Sequence, residues 1–313
     1  MNKKNQYSET LRYFRKAKGI KQKDIFPEQH QKYSRIELGG ALPLNDWLKC
    51  LKELELTPSE YLSAVKQTDN YILEIDKQFK QTCEDPTFTL NQTALIKNFK
   101  YLESIKDKNT SELCLYVDIK LFFCEKFPEI PAVSENDIEY FFNLFDEKIQ
   151  KQSVFTYYDY RLFSNILFIL PSDELKKVDK YFYKMYPIKN SLERDYNTLH
   201  VAYLAYPNLV NRLIYEKNYE KAQQYLNKTK KIYIPKNQHL VHTQLKYMQH
   251  LLNYLKRQSP KEFATLLEIV KALKILGNKE LAKQMSNEID LLVAKTKIEI
   301  NKGYYPKIEH SIK

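Results

Sequence analysis

Glycine is scarce in this chain, five residues in 313, against a usual share of about 7%. Such a sequence has little material for phosphate-cradling loops or tight hairpins, and it contains neither GxGxxG nor GxxxxGK[ST], which argues against nucleotide chemistry. Long apolar runs are missing too. The most apolar stretch, Leu162 to Leu170, is too short to span a bilayer and carries Ser164 and Asn165, so no membrane partner is expected. The N-terminal MNKKNQYSETLRYF is basic but has no apolar core, so no signal peptide is read and a cytoplasmic location is expected. Four cysteines (Cys50, Cys83, Cys114, Cys124) lie scattered without CxxC spacing and are expected as reduced, buried thiols. HExxH is absent, so His239, His242 and His250 lack the carboxylate of a zincin site, and neither a metal nor another cofactor is expected. No motif couples Cys114 or Cys124 to a histidine, which makes catalysis the least favoured class.

What the chain does have is aromatic surface and unevenly placed charge. Tyrosine occurs 25 times and phenylalanine 16 times; tyrosine lets a helix bury area while keeping a polar tip, in a core or along a groove. Apolar residues make up 43%, enough for a substantial core, and the length suggests about two domains. Ten Lys/Arg (Lys3, Lys4, Arg12, Arg15, Lys16, Lys18, Lys21, Lys23, Lys32, Arg35) stand in the first 35 positions against three acids (Glu9, Asp24, Glu28), which leaves +7 of the formal +11 there. Concentrated positive charge on short helices is the electrostatic footprint of a duplex-DNA partner.

Periodicity predicts an all-α chain without a convincing strand. Ser8 is the expected N-cap of a first helix with Leu11, Phe14 and Ala17 inward, stopped at Lys18-Gly19. A short helix over 21–26 ends at Pro27, and a polar helix over 29–38 turns Tyr33 and Ile36 inward and ends at Gly39-Gly40. Leu44, Trp47, Leu48, Leu51 and Leu54 mark a fourth helix, and Thr57-Pro58-Ser59-Glu60 opens a fifth. These close a first domain, 1–65. A linker helix is expected over 66–88, a helical-repeat domain over 89–300 and a frayed tail over 301–313. Ten helices are read at 91–106, 111–126, 134–148, 154–170, 172–186, 191–216 (broken near Pro207), 219–232, 237–256, 260–276 and 278–298, with Ser172 as an N-cap. Tyr215 to Leu226 (YEKNYEKAQQYL) carries the small Ala222 at the spacing of a tetratricopeptide helix pair, in which the first helix of each pair lines a groove.

The segment from Gln29 to Gly39 (QHQKYSRIELG) resembles the end of the lambda-repressor-like helix-turn-helix, and Leu11-Arg12-x-x-Arg15 with Lys18-Gly19 matches its first helix. Together with YYDYRLFSNILFIL (Tyr157 to Leu170), LVNRLIYEKNYEKA (Leu209 to Ala222) and IVKALKILG (Ile269 to Gly277), the whole chain resembles the Rgg/GadR/MutR-type regulators, within the peptide-pheromone receptors of Gram-positive bacteria. That resemblance implies a lambda-repressor-like head followed by a superhelix of tetratricopeptide-like pairs. It implies base contacts by His30, Gln31 and Arg35, phosphate contacts by Lys21, Gln22, Lys23 and Lys32, and a brace between Arg15 and Glu37. Asn211 matches an asparagine that receptors of this group use to hold a peptide backbone. Arg161 and Asn165 share one helix face, as do Asn211 and Tyr215, and Tyr247 lies one pair further on; all five are candidate peptide contacts.

Two departures mark the head: Phe26 replaces the usual alanine, and Tyr33 a smaller aliphatic, with Pro27 between them. Compensating packing of large side chains is expected there. The implied function is a homodimeric, quorum-sensing transcription factor on a palindromic operator, controlled by a short signalling peptide. Rival readings are a helical-repeat interaction scaffold with a vestigial head, and a peptide-independent regulator linked to a phage or bacteriocin.

Overall fold

The computed structural model describes residues 6–27, 29–65, 71–85, 91–151, 154–186 and 194–293, and only their structure is discussed; the expected tail, 301–313, lies outside them. Among the described residues there are sixteen α-helices and no strand. The chain divides into two compact units, Met1–Gln78 and Phe79–Lys313, with the division inside the expected linker segment.

In the first unit, α3 (His30–Glu37) packs on α1 (Gln6–Ala17) and α2 (Gln22–Ile25), while α4 (Leu44–Glu53) meets α2 and α5 (Pro58–Ala64). Leu11, Ile25, Phe26, Tyr33, Ile36, Leu51, Leu54 and Tyr61 form one buried core. Removing these side chains from water supplies most of what holds so short a set of helices together. Ser8 does not cap α1: it lies inside the helix, 1% exposed, because the helical turn extends at least two residues upstream. Thr57 does cap α5, its hydroxyl accepting from the Glu60 amide at 3.1 Å. At the end of α3, Gly39 takes a φ of +94°, which side chains resist, and a Cβ on Gly40 would stand 2.8 Å from the Arg35 carbonyl. The glycine pair is therefore a steric requirement of the turn.

In the second unit, α8 (Thr110–Phe123), α10 (Tyr157–Ile166), α12 (Tyr196–Tyr215) and α14 (His239–Arg257) pack side by side in that order. Alternating with them are α7 (Gln92–Ser104) against α8, α9 (Glu135–Gln150) against α8, α13 (Tyr219–Thr229) against α12 and α14, and α15 (Pro260–Ile275) against α14 and α16 (Lys279–Val293). The helix α11 (Leu175–Met185) is held mainly by rings: Tyr181 packs on Phe141, Phe142 and Phe145, and Phe182 on Phe163, Tyr206 and Tyr225, with centroids 5.1–6.2 Å apart. Such edge and offset contacts join five helices through one aromatic seam.

Two local expectations fail for tertiary reasons. Pro207 does not break α12, which runs through twenty residues. A proline inside a helix costs roughly 3 kcal/mol, but Ala202 to Ile214 are buried along the whole segment, and that packing outweighs the local penalty. Ser172 does not cap α11, which begins three residues later after Glu174; its hydroxyl donates to Glu216 Oε1 at 2.8 Å instead. All four cysteines are free thiols, Cys50 and Cys114 buried, Cys83 and Cys124 only half-buried.

Candidate functional site

The first candidate site is the outer face of α3. Buried Tyr33, Ile36 and Glu37 turn one side of this helix into the core, so helical geometry leaves Gln31 and Arg35 exposed on the other. Gln29, Gln31, Lys32 and Arg35 line an open groove of about 710 Å³ floored by Ile36, Gly40 and Ala41. His30 begins α3, but its side chain lies outside what the structure describes. Lys21 and Lys23 are exposed beside α2, while Gln22 is half-buried.

Behind this face Arg15 Nε donates to Glu37 Oε1 at 2.5 Å and Nη2 donates to Oε2 at 3.1 Å, with Nη1 on the Ile20 carbonyl at 2.9 Å. The fork-on-carboxylate geometry joins α1 to the last turn of α3 with both groups largely out of solvent. The hydrogen bond to Glu37 is the foremost cause that raises the Arg15 pKa above the ordinary guanidinium value. Gln22 Nε2 donates to the same carboxylate, to Oε2 at 2.6 Å, so α2 joins the brace. Lys32 Nζ sits 2.6 Å from Asp46 Oδ1 on α4 and 5.2 Å above the Phe26 ring. Sequence reasoning assigned Gln22 and Lys32 to phosphates; the structure gives each an intramolecular partner.

Phe26 and Tyr33 meet with ring centroids 6.1 Å apart, both almost fully buried, and Lys49 Nζ lies 4.8 Å over the Phe26 ring. The two outsized residues thus fill the contact between α2 and α3 together. Burial raises the Tyr33 phenol far above its usual range.

The second candidate site runs across the side-by-side helices of the second unit. Arg161 Nη2 lies 2.7 Å from Asp118 Oδ2 on α8, both residues under 6% exposed, and Asn165 Nδ2 donates to Asp118 Oδ1 at 2.6 Å. The Arg161 guanidinium also stacks 5.5 Å from the Phe79 ring and 5.9 Å from Tyr157. Next in line, Asn208 Nδ2 donates to Ser164 Oγ at 2.8 Å, locking α12 to α10. Beyond it Asn211, Tyr215 and Tyr247 converge on the carboxyl of Glu288, which α16 supplies. Tyr247 also donates its hydroxyl to the Met285 carbonyl at 3.1 Å. Burial holds the Glu288 carboxyl up at about 7, while the hydrogen-bonding groups of Tyr247, Tyr215 and Asn211 pull it down.

The five residues singled out by sequence therefore fall into two groups, buried Arg161 with Asn165, and buried Asn211 and Tyr247 with half-buried Tyr215. Each group is organised by an acid that sequence reasoning missed. Asp118 had a signal, since it is the lone acid inside the apolar run Leu113 to Phe123. Glu288 had none, because QMSNEIDLL reads as an ordinary amphipathic helix surface. Among the histidines, His250 Nδ1 pairs with Glu262 Oε2 at 2.5 Å, and His242 Nε2 lies 3.2 Å from the Pro235 carbonyl. Among the described residues no helix is long and apolar enough to cross a membrane.

Residues 151–287 match the family described as HTH-type transcriptional regulator Rgg, C-terminal domain. Three solved structures share the fold over nearly the whole chain. The PrgX/cCF10 complex is 19% identical with a TM-score of 0.68, covering 96% of this chain and 97% of that one. A bacterial peptide pheromone/receptor complex is 18% identical with a TM-score of 0.69, covering 93% and 99%. The SHP pheromone receptor Rgg2 of Streptococcus dysgalactiae is 16% identical with a TM-score of 0.64, covering 90% and 98%. No curated protein matches the chain significantly.

Proposed function

We propose, for a chain that residues 151–287 mark as an Rgg-type transcriptional regulator, that the first unit reads duplex DNA and that a short signalling peptide bound by the second unit controls it. Gln31 and Arg35 contact base edges from α3, with His30 at its start, and Lys21 and Lys23 hold phosphates. Lys32 joins them by leaving Asp46, and Gln22 acts through the brace on Glu37. The protein works in the cytoplasm as a homodimer, one head per half-site of a palindromic operator. The 66–88 segment, whose described part is α6 (Tyr71–Glu84), serves as the linker between residues 1–65 and 89–300.

The observation that carries the peptide half of this reading is the convergence of Asn211, Tyr215 and Tyr247, from α12 and α14, on one buried spot. The likeness to receptors solved with pheromone peptides supports it. A peptide shifts the regulator only by binding one arrangement of the helices better than another.

The test is a fluorescence-anisotropy titration of promoter DNA from the protein's own locus, at two salt concentrations, with wild type and Arg35→Ala. Wild type is expected to bind with a steep salt dependence, and Arg35→Ala to bind about ten- to a hundredfold more weakly, as loss of a bidentate base contact worth about 1–3 kcal/mol requires. Equal, negligible binding by both proteins refutes the DNA-reading assignment. Calorimetry with short peptides encoded beside the gene tests the other half: absence of heat from all of them, or an unaltered response in Asn211→Ala, refutes the groove assignment.

A further inference from the structure

Acidic residues number 39 in 313, about one in eight, yet none stands between Glu220 and Glu262. Eight lysines and Arg257 fall in that interval, which takes in most of α13, the connection after it and all of α14. Some of these cations have local work. Lys221 pairs with Asp179, Lys228 lies 4.3 Å over the Tyr225 ring, and Lys256 and Arg257 suit the carbonyl end of α14. Lys230, Lys231, Lys236 and Lys246 are different: all four are exposed, and no described acid pairs with any of them.

The connection that carries three of them is fixed from behind. Ile234 is buried, Tyr203 donates its hydroxyl to the Tyr233 carbonyl at 2.9 Å, and Gln238, 1% exposed, meets His200 Nδ1 at 2.9 Å. His242 Nε2 lies 3.2 Å from the Pro235 carbonyl. Between Lys231 and Lys236 the Tyr233 ring is left 78% exposed. Lys246 follows exposed His239 and His242 on one face of α14. Asp195, which the Gln238 contact with the Tyr196 carbonyl brings near, is engaged in capping α12 through the Asn197 and Thr198 amides. Lys236 stands just ahead of the positive end of α14, a helix with no acid in its first turn and no side-chain cap. A cation there works against the helix dipole, so local structure does not account for it.

We infer that this surface is a second phosphate-binding face, which holds the backbone of duplex DNA without reading its sequence. Each lysine that meets a phosphate releases a condensed counterion, so the surface adds a salt-dependent, sequence-independent attraction. The Tyr233 hydroxyl is a donor of the kind that also meets phosphate oxygens. A protein partner fits less well, because lysine is depleted in protein interfaces. A lipid surface also fits less well: Ile234 is buried and Ile232 half-buried, so the connection presents no aliphatic side chain for insertion.

This assignment rests on the reading of the chain as a DNA-binding regulator, and the test separates the two. Full-length protein is titrated into a labelled random-sequence duplex between about 50 and 200 mM salt, and binding is followed by anisotropy. Wild type is compared with a triple variant, Lys230→Gln with Lys231→Gln and Lys236→Gln, and with a head variant, Lys21→Gln with Lys23→Gln. At about 0.9 per phosphate contact, the triple variant should lose about 2–3 from the slope of log K against log salt. It should also bind at least tenfold more weakly at the lower salt, with unchanged far-UV circular dichroism. Lys236→Glu alone should weaken binding without lowering the thermal midpoint, since an acid suits the start of α14. A lowered midpoint with unchanged binding assigns Lys236 to the fold and overturns its place in the surface. An unaltered slope in the triple variant, with a loss of about 2 in the head variant, overturns the second face and leaves the DNA reading standing. If the triple variant instead loses only a sedimentation with phosphatidylserine vesicles that wild type shows, the surface belongs to a membrane and the assignment to DNA is overturned. No binding of duplex by wild type overturns both.

Discussion

At their candidate sites the two units handle charge in opposite ways. In the first, Arg35, Lys21 and Lys23 stay in water, and the paired groups, Arg15 with Glu37 and Lys32 with Asp46, stand behind or beside the exposed face. In the second, Arg161, Asp118, Asn165, Asn211 and Glu288 are all at least nine-tenths buried and lie among the helices themselves. A surface that meets phosphates gains from cations whose hydration is easily exchanged and whose field reaches outward. A groove that selects one small ligand gains from polar groups already stripped of water, where each unmatched atom is expensive. Under the proposed function, the same residue types serve long-range attraction in one unit and short-range discrimination in the other.

That contrast can be broken most forcefully at Asp118. Asp118→Ala strands the Arg161 guanidinium in the interior and is expected to cost about 3–5 kcal/mol, as for other buried pairs that lose one partner. The only tryptophan, Trp47, lies in the first unit, so urea unfolding followed by its fluorescence and by circular dichroism reports the units separately. The dichroism midpoint should fall while the fluorescence midpoint stays; coincident shifts of both would erase the distinction.

Glu288 gives the next effect. Its carboxyl titrates at about 7 against an ordinary 4.5, so the folded protein holds the proton more tightly than the unfolded chain. The stabilisation from that proton is complete below about 4.5 and is lost as pH rises to about 7, a total of roughly 3 kcal/mol. Tyr215 and Tyr247, which face the carboxyl, remain neutral throughout, since burial raises both. Glu288→Gln should flatten this part of the pH–stability curve and make the variant the more stable protein at pH 8. An unchanged slope between pH 5 and 7 would remove Glu288 as the titrating group.

Glu37→Ala acts on the other side of the comparison. It unpairs Arg15 and Gln22 together and should cost about 2–3 kcal/mol, seen in the Trp47 transition and as weaker DNA binding even where Arg35 is intact. The smallest effect is expected at Lys23. Lys23→Ala should weaken binding uniformly across DNA sequences and reduce the slope of log K against log salt by about 1, leaving stability unchanged.

Helix positions were largely legible in the sequence, because amphipathic periodicity and punctuation such as Lys18-Gly19, Thr57-Pro58 and Gly39-Gly40 act locally. Where they were misjudged, at Pro207 and Ser172, the deciding partners lie 44 residues away for Ser172 and on neighbouring helices for Pro207. The candidate sites were legible by residue type but, the Arg15–Glu37 brace apart, not by partnership. The resemblance makes Gln22 and Lys32 phosphate holders, and only the packing of α2, α3 and α4 puts Glu37 and Asp46 within their reach. Asn211 matches an asparagine of the peptide receptors, and Tyr215 and Tyr247 are candidates by their place on the helices, yet nothing in the sequence joins the three to an acid more than forty positions downstream of Tyr247.

By itself, the sequence determined an all-helical chain, a basic head ending in Gln29 to Gly39, and a repeat-like remainder. Each of these is a matter of composition or of spacings within a few turns, and local backbone geometry converts such spacings directly into helix faces. Apart from the Arg15–Glu37 brace, which the resemblance named, tertiary structure alone decided which charges meet. Asp118 under Arg161 and Glu288 among two tyrosines and an asparagine are products of helix packing, and their energetics depend on a burial that no local pattern encodes.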